Sequence, residues 1–174
     1  MSKHKSALKG AITGLLATAS LAVAGQAMAM TMPYTATSAM PVLPYPGYTF
    51  SLNKINNGDT STLDGFASTQ ATGTITMTLE RCGTLKSFTI YNNINGTTNG
   101  VKSFTLTYRG QNGTVLGTQS LTVNNTSPSQ TFAVPTGTLM QFVHSIDMKI
   151  TASFDQHVEI REIVLDGTPG PCCP

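Results

Sequence analysis

The sequence predicts an all-β chain folded as an antiparallel β-sandwich of jelly-roll type, and three observations predict it. In the stretch 101–123, VKSFTLTYRGQNGTVLGTQSLTV, residues Lys102, Phe104, Leu106 and Tyr108 alternate with Val101, Ser103, Thr105 and Thr107. A period of two is what a strand with one buried face requires. Gly110, Gln111, Asn112 and Gly113 then tolerate a tight turn, and 115–123 resumes a Thr-rich, β-branched run, so the pair reads as a hairpin. Third, only 10% of residues are charged, and no helical period interrupts the roughly seven strand-like runs, spaced about ten to fifteen residues apart.

The chain of 174 residues opens on MSKHKSALKGAITGLLATASLAVAGQAMA, with Lys3, Lys5 and Lys9 ahead of an apolar run and small residues at Ala27 and Ala29. That is the pattern of a secretory leader cut after Ala29. Its apolar core of about fourteen residues falls short of the roughly twenty that a membrane span needs. No Cys follows Gly25 to carry a lipid. The expectation is therefore an exported chain, periplasmic or extracellular in a Gram-negative bacterium, with no membrane insertion after cleavage. Without the leader, seven Lys and Arg face eight Asp and Glu, a formal charge of −1. No basic cluster remains, which excludes a nucleic-acid footprint. About 145 residues are enough for one domain with its own core.

The mature chain divides into an arm at 30–50, a sandwich at 51–167 and a Cys-containing tail at 168–174. The arm carries Pro33, Pro41, Pro44 and Pro46 among Tyr34, Tyr45 and Tyr48. Proline at that density blocks helix and central-strand ladders, so the arm is extended, as a tether or as a strap along the sandwich. Met30, Met32 and Met40 also raise a periplasmic copper-binding reading, since thioethers select Cu(I); the competing reading is flexible apolar packing. His144 and His157 lie too far along the chain to support the copper reading.

Residues 51–72 read as loop, with Asn56, Asn57, Gly58 and Asp59 in a turn. The run 73–80 alternates Ile75, Met77 and Leu79 with Thr74, Thr76 and Thr78, and 85–92 repeats the pattern around Phe88 and Ile90. After a polar loop at 92–100 and the hairpin come short and long strands at 130–134 and 142–153. The last run, VEIREIVL at 158–165, breaks strict alternation; a bulge, a functional Glu or a strand buried on both faces would each explain it. The expected core is Phe88, Ile90, Phe104, Leu106, Phe132, Ile146, Met148 and Ile163.

Catalysis finds little support in these residues, and an enzyme is not expected. His144, Ser145 and Asp147 are near neighbours, but adjacent strand residues face opposite ways, so His144 cannot serve Ser145 as its base. Asp155 and His157 have no nucleophile or metal partner at a telling spacing. The sequons at Asn95 and Asn112 read as turns. Of the three cysteines, Cys82 paired with Cys172 or Cys173 would close a loop of about ninety residues and stabilise by roughly 4 to 5 kcal/mol. A vicinal pair or free thiols are the alternatives, and one thiol is left over in any single pairing.

The order of elements resembles the galactose-binding-domain-like jelly roll of discoidin domains, coagulation factor C-type domains and bacterial carbohydrate-binding modules. The matching pieces are Leu63-Asp64-Gly65 with Ser68-Thr69, then ITMTLE, TLKSFTIYN, VKSFTLTY, SQTFAVP, FVHSIDMKITAS and VEIREIVLDG. The resemblance implies a non-catalytic module that binds a glycan or other polar surface ligand through loops at one end. It also implies a structural calcium ion on Asp64, with Thr69 nearby, and Glu162; oxygen donors suit a hard cation. The chain departs from the family's sugar binders in having no Trp, and Gln70 stands where an aromatic is common. Ligand contact would then fall to Tyr91, Asn92 and Asn93, with Tyr108 and Arg109 at the hairpin turn. The alternative function is a structural or adhesive envelope protein, disulfide-linked into oligomers through its cysteines.

Overall fold

A computed structural model describes residues 29–60, 65–92, 100–124 and 126–172. The leader, and with it the expected cleavage, lies outside them except for Ala29, as do Asp64, Asn93 and Cys173. Among the described residues, nine strands follow in order: β1 (Met30–Thr31), β2 (Tyr34–Ser38), β3 (Phe66–Ser68), β4 (Gly73–Asn92), β5 (Val101–Arg109), β6 (Val115–Thr122), β7 (Ser129–Ala133), β8 (Val143–Ser153) and β9 (Val158–Pro169). Short 3-10 helices occupy Leu52–Asn56 and Thr138–Phe142. All named strand pairs are antiparallel.

The two layers share β4. Its first half, rich in alternating Thr, lies between β2 and β8, and β5 and β6 extend that sheet. Its second half lies between β9 and β7, with β1 and β3 on the far edge of β9. The change of layer falls where the pairing with β8 jumps from Thr78 opposite Ser145 to Gly83 opposite Val143. Extra residues in one strand of a ladder bend it and break the pairing, which is how one strand can serve two sheets. The 73–80 and 85–92 runs are thus one bent element.

The inner faces interdigitate as the period-two pattern predicts. Phe88, Ile90, Phe104, Leu106, Ile146, Met148 and Ile163 are all buried, and Phe132 is half-buried against them. Phe104 ties the layers together, its ring 5.4 Å from that of Phe88 and 5.8 Å from that of Phe132; aromatic pairs at such spacings gain beyond their buried area. The hairpin turn forms at 110–114, with Gly113 at φ +80°, a value that L side chains rarely adopt.

The boundary drawn at residue 50 is not a boundary of the fold. The 30–38 segment supplies β1 and β2, and Tyr34, in the core, donates its hydroxyl toward Ile163 O (2.9 Å) and Ile55 O (3.0 Å). Burial, with the nearby Glu162 carboxylate, pushes its phenol far above the ordinary value, so it stays a neutral donor. Met32 and Met40 are core residues as well, so these two thioethers pack rather than present an open capture site, whereas Met30 is exposed. The prolines fall between strands, where no ladder donor is needed. Among the described residues, no helix is long and apolar enough to cross a membrane.

Candidate functional site

The irregular stretch of β9 explains itself through its neighbours. Tyr91 pairs with Glu162 but Asn92 with Ile160, so Arg161 is the extra residue of a bulge. Both Arg161 and Glu162 are buried. Gly65 packs so closely here that a Cβ on it would lie 2.0 Å from Ile160 O, so only glycine fits. The Arg161 Nη1 donates to Thr60 O at 3.4 Å, and burial lowers its pKa while Glu159 and Asp59 oppose that shift.

Glu162 is the most unusual carboxylate among the described residues. Gly58 N–H donates to its Oε1 at 3.3 Å, while Oε2 is buried with no hydrogen-bond partner. Desolvation pushes its pKa up to about 7, with backbone donors from Gly58 and Asn57 working against the shift and the Asp59 charge reinforcing it. The turn expected at Asn56–Asp59 is present, held by Asp59 N–H donating to Asn57 Oδ1 at 2.8 Å. A buried carboxylate oxygen without a donor, beside a second carboxylate and a loop, is a donor set that suits a hard cation. Of the other two residues expected at such a centre, Asp64 lies outside the described residues and Thr69 does not reach it. Ser68 pairs with Val158, four residues from Glu162, or about 13 Å along a strand, and exposed Thr69 lies beyond it.

The expected ligand contacts do not converge. The Asn92 amide is buried, donating to Val101 O and accepting from Val101 N–H, both at 3.1 Å, which closes the 92–101 excursion. Tyr91 is half-buried between Ser129 and Glu162 in the sheet. Tyr108 is fully buried, its hydroxyl donating to Gln119 Oε1 at 3.0 Å. Arg109 is held by Asp147 Oδ2 (Nε, 2.7 Å) and by Gly113 O (Nη1, 3.1 Å). Eight residue steps along the strand, about 26 Å, separate Val101, beside Asn92, from Arg109. The two groups therefore occupy opposite ends of the sandwich, and Asn92 and Tyr108 are scaffold because their polar atoms are spent on the fold.

The exposed aromatics lie elsewhere, in the segment expected as an arm. Of five Tyr and seven Phe, only Tyr45 and Tyr48 are exposed, at 58% and 38%. Tyr48 meets Tyr45 edge-on at 5.5 Å and stacks on Phe50 at 5.6 Å with 6° between the planes. The loop is anchored at one end on β3, by Leu43 N–H to Ala67 O, and at the other on the residue before it, by Ser51 N–H to Gly65 O. Immediately before it in the chain, Thr37, Ser38 and Met40 line a cleft of about 580 Å³ with Gln70, Thr74 and Thr76. The signal for this site was present as Tyr45, Tyr48 and Phe50 at near-regular spacing, masked by the prolines among them.

The cysteines resolve as an intrachain bridge, Cys82 to Cys172, with Cα atoms 5.0 Å apart. A covalent oligomer would therefore rest on Cys173, outside the described residues. His157 stands between Asp155 (4.0 Å) and Glu159 (3.3 Å).

No protein-family model matches this sequence, and no curated protein sequence does either. Solved structures are similar in fold. One is a family 32 carbohydrate-binding module from Clostridium perfringens in complex with GalNAc-β-1,3-galactose, at a TM-score of 0.64 and 10% identity, covering 78% of this chain and 99% of that one. The lectin domain of lectinolysin complexed with Lewis b antigen gives 0.61 at 9% identity, covering 79% and 94%. An F5/8 type C domain from Bacteroides fragilis gives 0.61 at 14%, covering 79% and 93%. With the bent β4 shared between two antiparallel layers, this chain has the galactose-binding-like jelly-roll fold of the family 32 modules and F5/8 type C domains.

Proposed function

We propose that this protein is an exported, non-catalytic carbohydrate-binding module, and that it stacks a sugar ring on Tyr45 and Tyr48 rather than on the residues at the strand ends. The observation that carries this reading is the exposed ring cluster of Tyr45, Tyr48 and Phe50. Aromatic side chains ordinarily bury their area, and two left open as neighbours, their rings 63° apart, offer apolar ring faces with hydroxyl handles. The cleft lined by Ser38, Gln70 and Thr74, whose Ser38 precedes the aromatic segment in the chain, adds hydroxyl and amide groups. Structures sharing the fold include binding modules solved with galactose and with Lewis b, and the leader sequence supports export.

A calcium ion belongs to this reading, held by Glu162 with Asp59 and carbonyls of the adjoining loop. Bound there, it would neutralise a buried carboxylate and fix the loop that follows the aromatic segment. The experiment is a glycan array followed by calorimetry on the best saccharide, with and without calcium. Tyr48→Ala is expected to weaken binding at least tenfold, about 1.4 kcal/mol, with an unchanged melting temperature. Absence of binding to any saccharide, or wild-type affinity in the Tyr45→Ala, Tyr48→Ala double variant, overturns it.

A further inference from the structure

A second chemical centre lies where β4 changes layer, and it is independent of sugar binding. His144 sits opposite the unpaired part of β4, between the Ser145–Thr78 and Val143–Gly83 pairings. That placement brings its Nδ1 to 3.6 Å from the Sγ of Cys82. The Cys82 and Cys172 sulfurs and a His144 ring nitrogen all lie within 4.8 Å of one another. Cys82 is fully buried, and His144 and Cys172 are half-buried, with the buried Met32 packed against Gly83 beside them.

We propose that Cys82, His144 and Cys172 form a redox-gated Zn²⁺ site, closed as a disulfide when oxidised and open to metal when reduced. Zn–S of about 2.3 Å and Zn–N of about 2.0–2.1 Å at a tetrahedral angle place sulfur and nitrogen about 3.6 Å apart. That is the separation already present between Cys82 and His144. The two sulfurs must part, to about 3.8 Å on the same geometry, with Cys172 Sγ, already within 4.8 Å of the His144 nitrogen, settling about 3.6 Å from it. Cys172 can supply that movement, because it follows the end of β9 in an irregular tail held by Gly170 N–H to Cys82 O. Two thiolates and an imidazole are a ligand set for zinc, with a fourth position left for water.

The chemistry balances with a dithiol reductant. Two electrons and two protons pass to the Cys82–Cys172 bond, which breaks to two thiols while the reductant closes to its own disulfide. Zn²⁺ then displaces both thiol protons and takes the lone pair of His144 Nδ1, so binding releases two protons and tightens as the pH rises.

The test uses the full mature chain, reduced anaerobically with a phosphine, freed of reductant and titrated with Co²⁺, then Zn²⁺. The reduced protein is expected to take up one equivalent of Co²⁺ with thiolate charge-transfer and tetrahedral ligand-field bands, and to release it to Zn²⁺. The oxidised protein is expected to take up none. His144→Ala should keep the oxidised melting temperature and the disulfide, yet lose at least tenfold in affinity and the tetrahedral bands; Cys82→Ser should abolish binding. Equal uptake by oxidised protein, no uptake by reduced protein, or wild-type affinity in His144→Ala overturns the proposal. So does binding that survives Cys82→Ser and vanishes in Cys173→Ser, which would assign the metal to the two adjacent tail cysteines.

Discussion

The β5–β6 hairpin and the 41–60 segment lie in the same chain and are held by opposite means. The hairpin completes its own hydrogen bonds in register from Ser103 opposite Thr122 to Tyr108 opposite Gly117, and its alternating Phe104, Leu106 and Tyr108 fill the core. The 41–60 segment has no ladder of its own beyond an isolated bridge, Val42 to Ser68. Ile55 in the core, Lys54 Nζ on Thr49 Oγ1 (3.0 Å), and single backbone bonds to β3 and Glu162 hold it. A segment fixed at a few points can leave neighbouring side chains open together, whereas a paired strand turns every second side chain into the core. On the function proposed here, that difference assigns binding to the 41–60 segment and scaffolding to the hairpin.

Truncating the hairpin's largest buried side chain gives the sharpest separation between the two. Tyr108→Ala should cost about 3 to 5 kcal/mol, as removal of a large buried aromatic usually does, and should also strand the Gln119 carbonyl that it pairs. Whatever folds at low temperature should bind saccharide like the wild type. Chemical denaturation with parallel calorimetry checks this, and an affinity loss in folded Tyr108→Ala would return the hairpin to the binding surface. Tyr108→Phe should cost only about 1 kcal/mol, the worth of one hydrogen bond.

The same contrast accounts for what could be read in the sequence. Strands β4, β5 and β8 follow from period-two alternation, because burial on one face writes itself into every second residue, whereas β6 shows in its Thr-rich, β-branched run and β9 breaks alternation at its bulge. β2 did not stand out, since Tyr34 to Ser38 carries its burial on only one core aromatic and sits among prolines. β3 is three residues long, too short for a period to show. The aromatic cluster and the His144–Cys82 contact depend on tertiary geometry: the first on where the loop is anchored, the second on a register jump across 62 residues. His144 stands 62 residues from Cys82 in sequence, and the bend in β4 cancels that distance.

Glu162 tests the anchoring of the irregular segment. Its folded pKa, about 7, stands above the ordinary carboxylate value near 4.5, so the native state holds the proton more tightly than the unfolded one. The contribution is fully present below pH 4.5 and is lost as the pH rises through 7. Without added metal, stability should therefore fall by on the order of 2 to 3 kcal/mol across that window from this group. Glu162→Gln should remove that slope and be the more stable protein at pH 7. Millimolar calcium should stabilise the wild type there and leave Glu162→Gln unmoved. Denaturant melts at pH 4.5, 6 and 7.5, with calcium or a chelator, read all three; identical slopes in the two proteins would sink the assignment.

The smallest effect belongs to the residue that looked most like a ligand clamp. Arg109 Nε meets Asp147 Oδ2 at 2.7 Å, with the two side chains 35% and 23% exposed, and Asp147 Oδ1 also accepts from Thr76 Oγ1 at 2.8 Å. A partly exposed ion pair gains little over its hydrated halves, and a double-mutant cycle of Arg109→Met with Asp147→Asn should give a coupling of about 0.2 to 1 kcal/mol. It should shrink in high salt, since the charges remain within reach of counter-ions. Saccharide affinity should be untouched by Arg109→Met, because Arg109 is committed to Asp147 and to the turn carbonyl of Gly113. A tenfold loss of affinity in that variant at unchanged stability would move the binding surface to the hairpin end and reverse the contrast between the two segments.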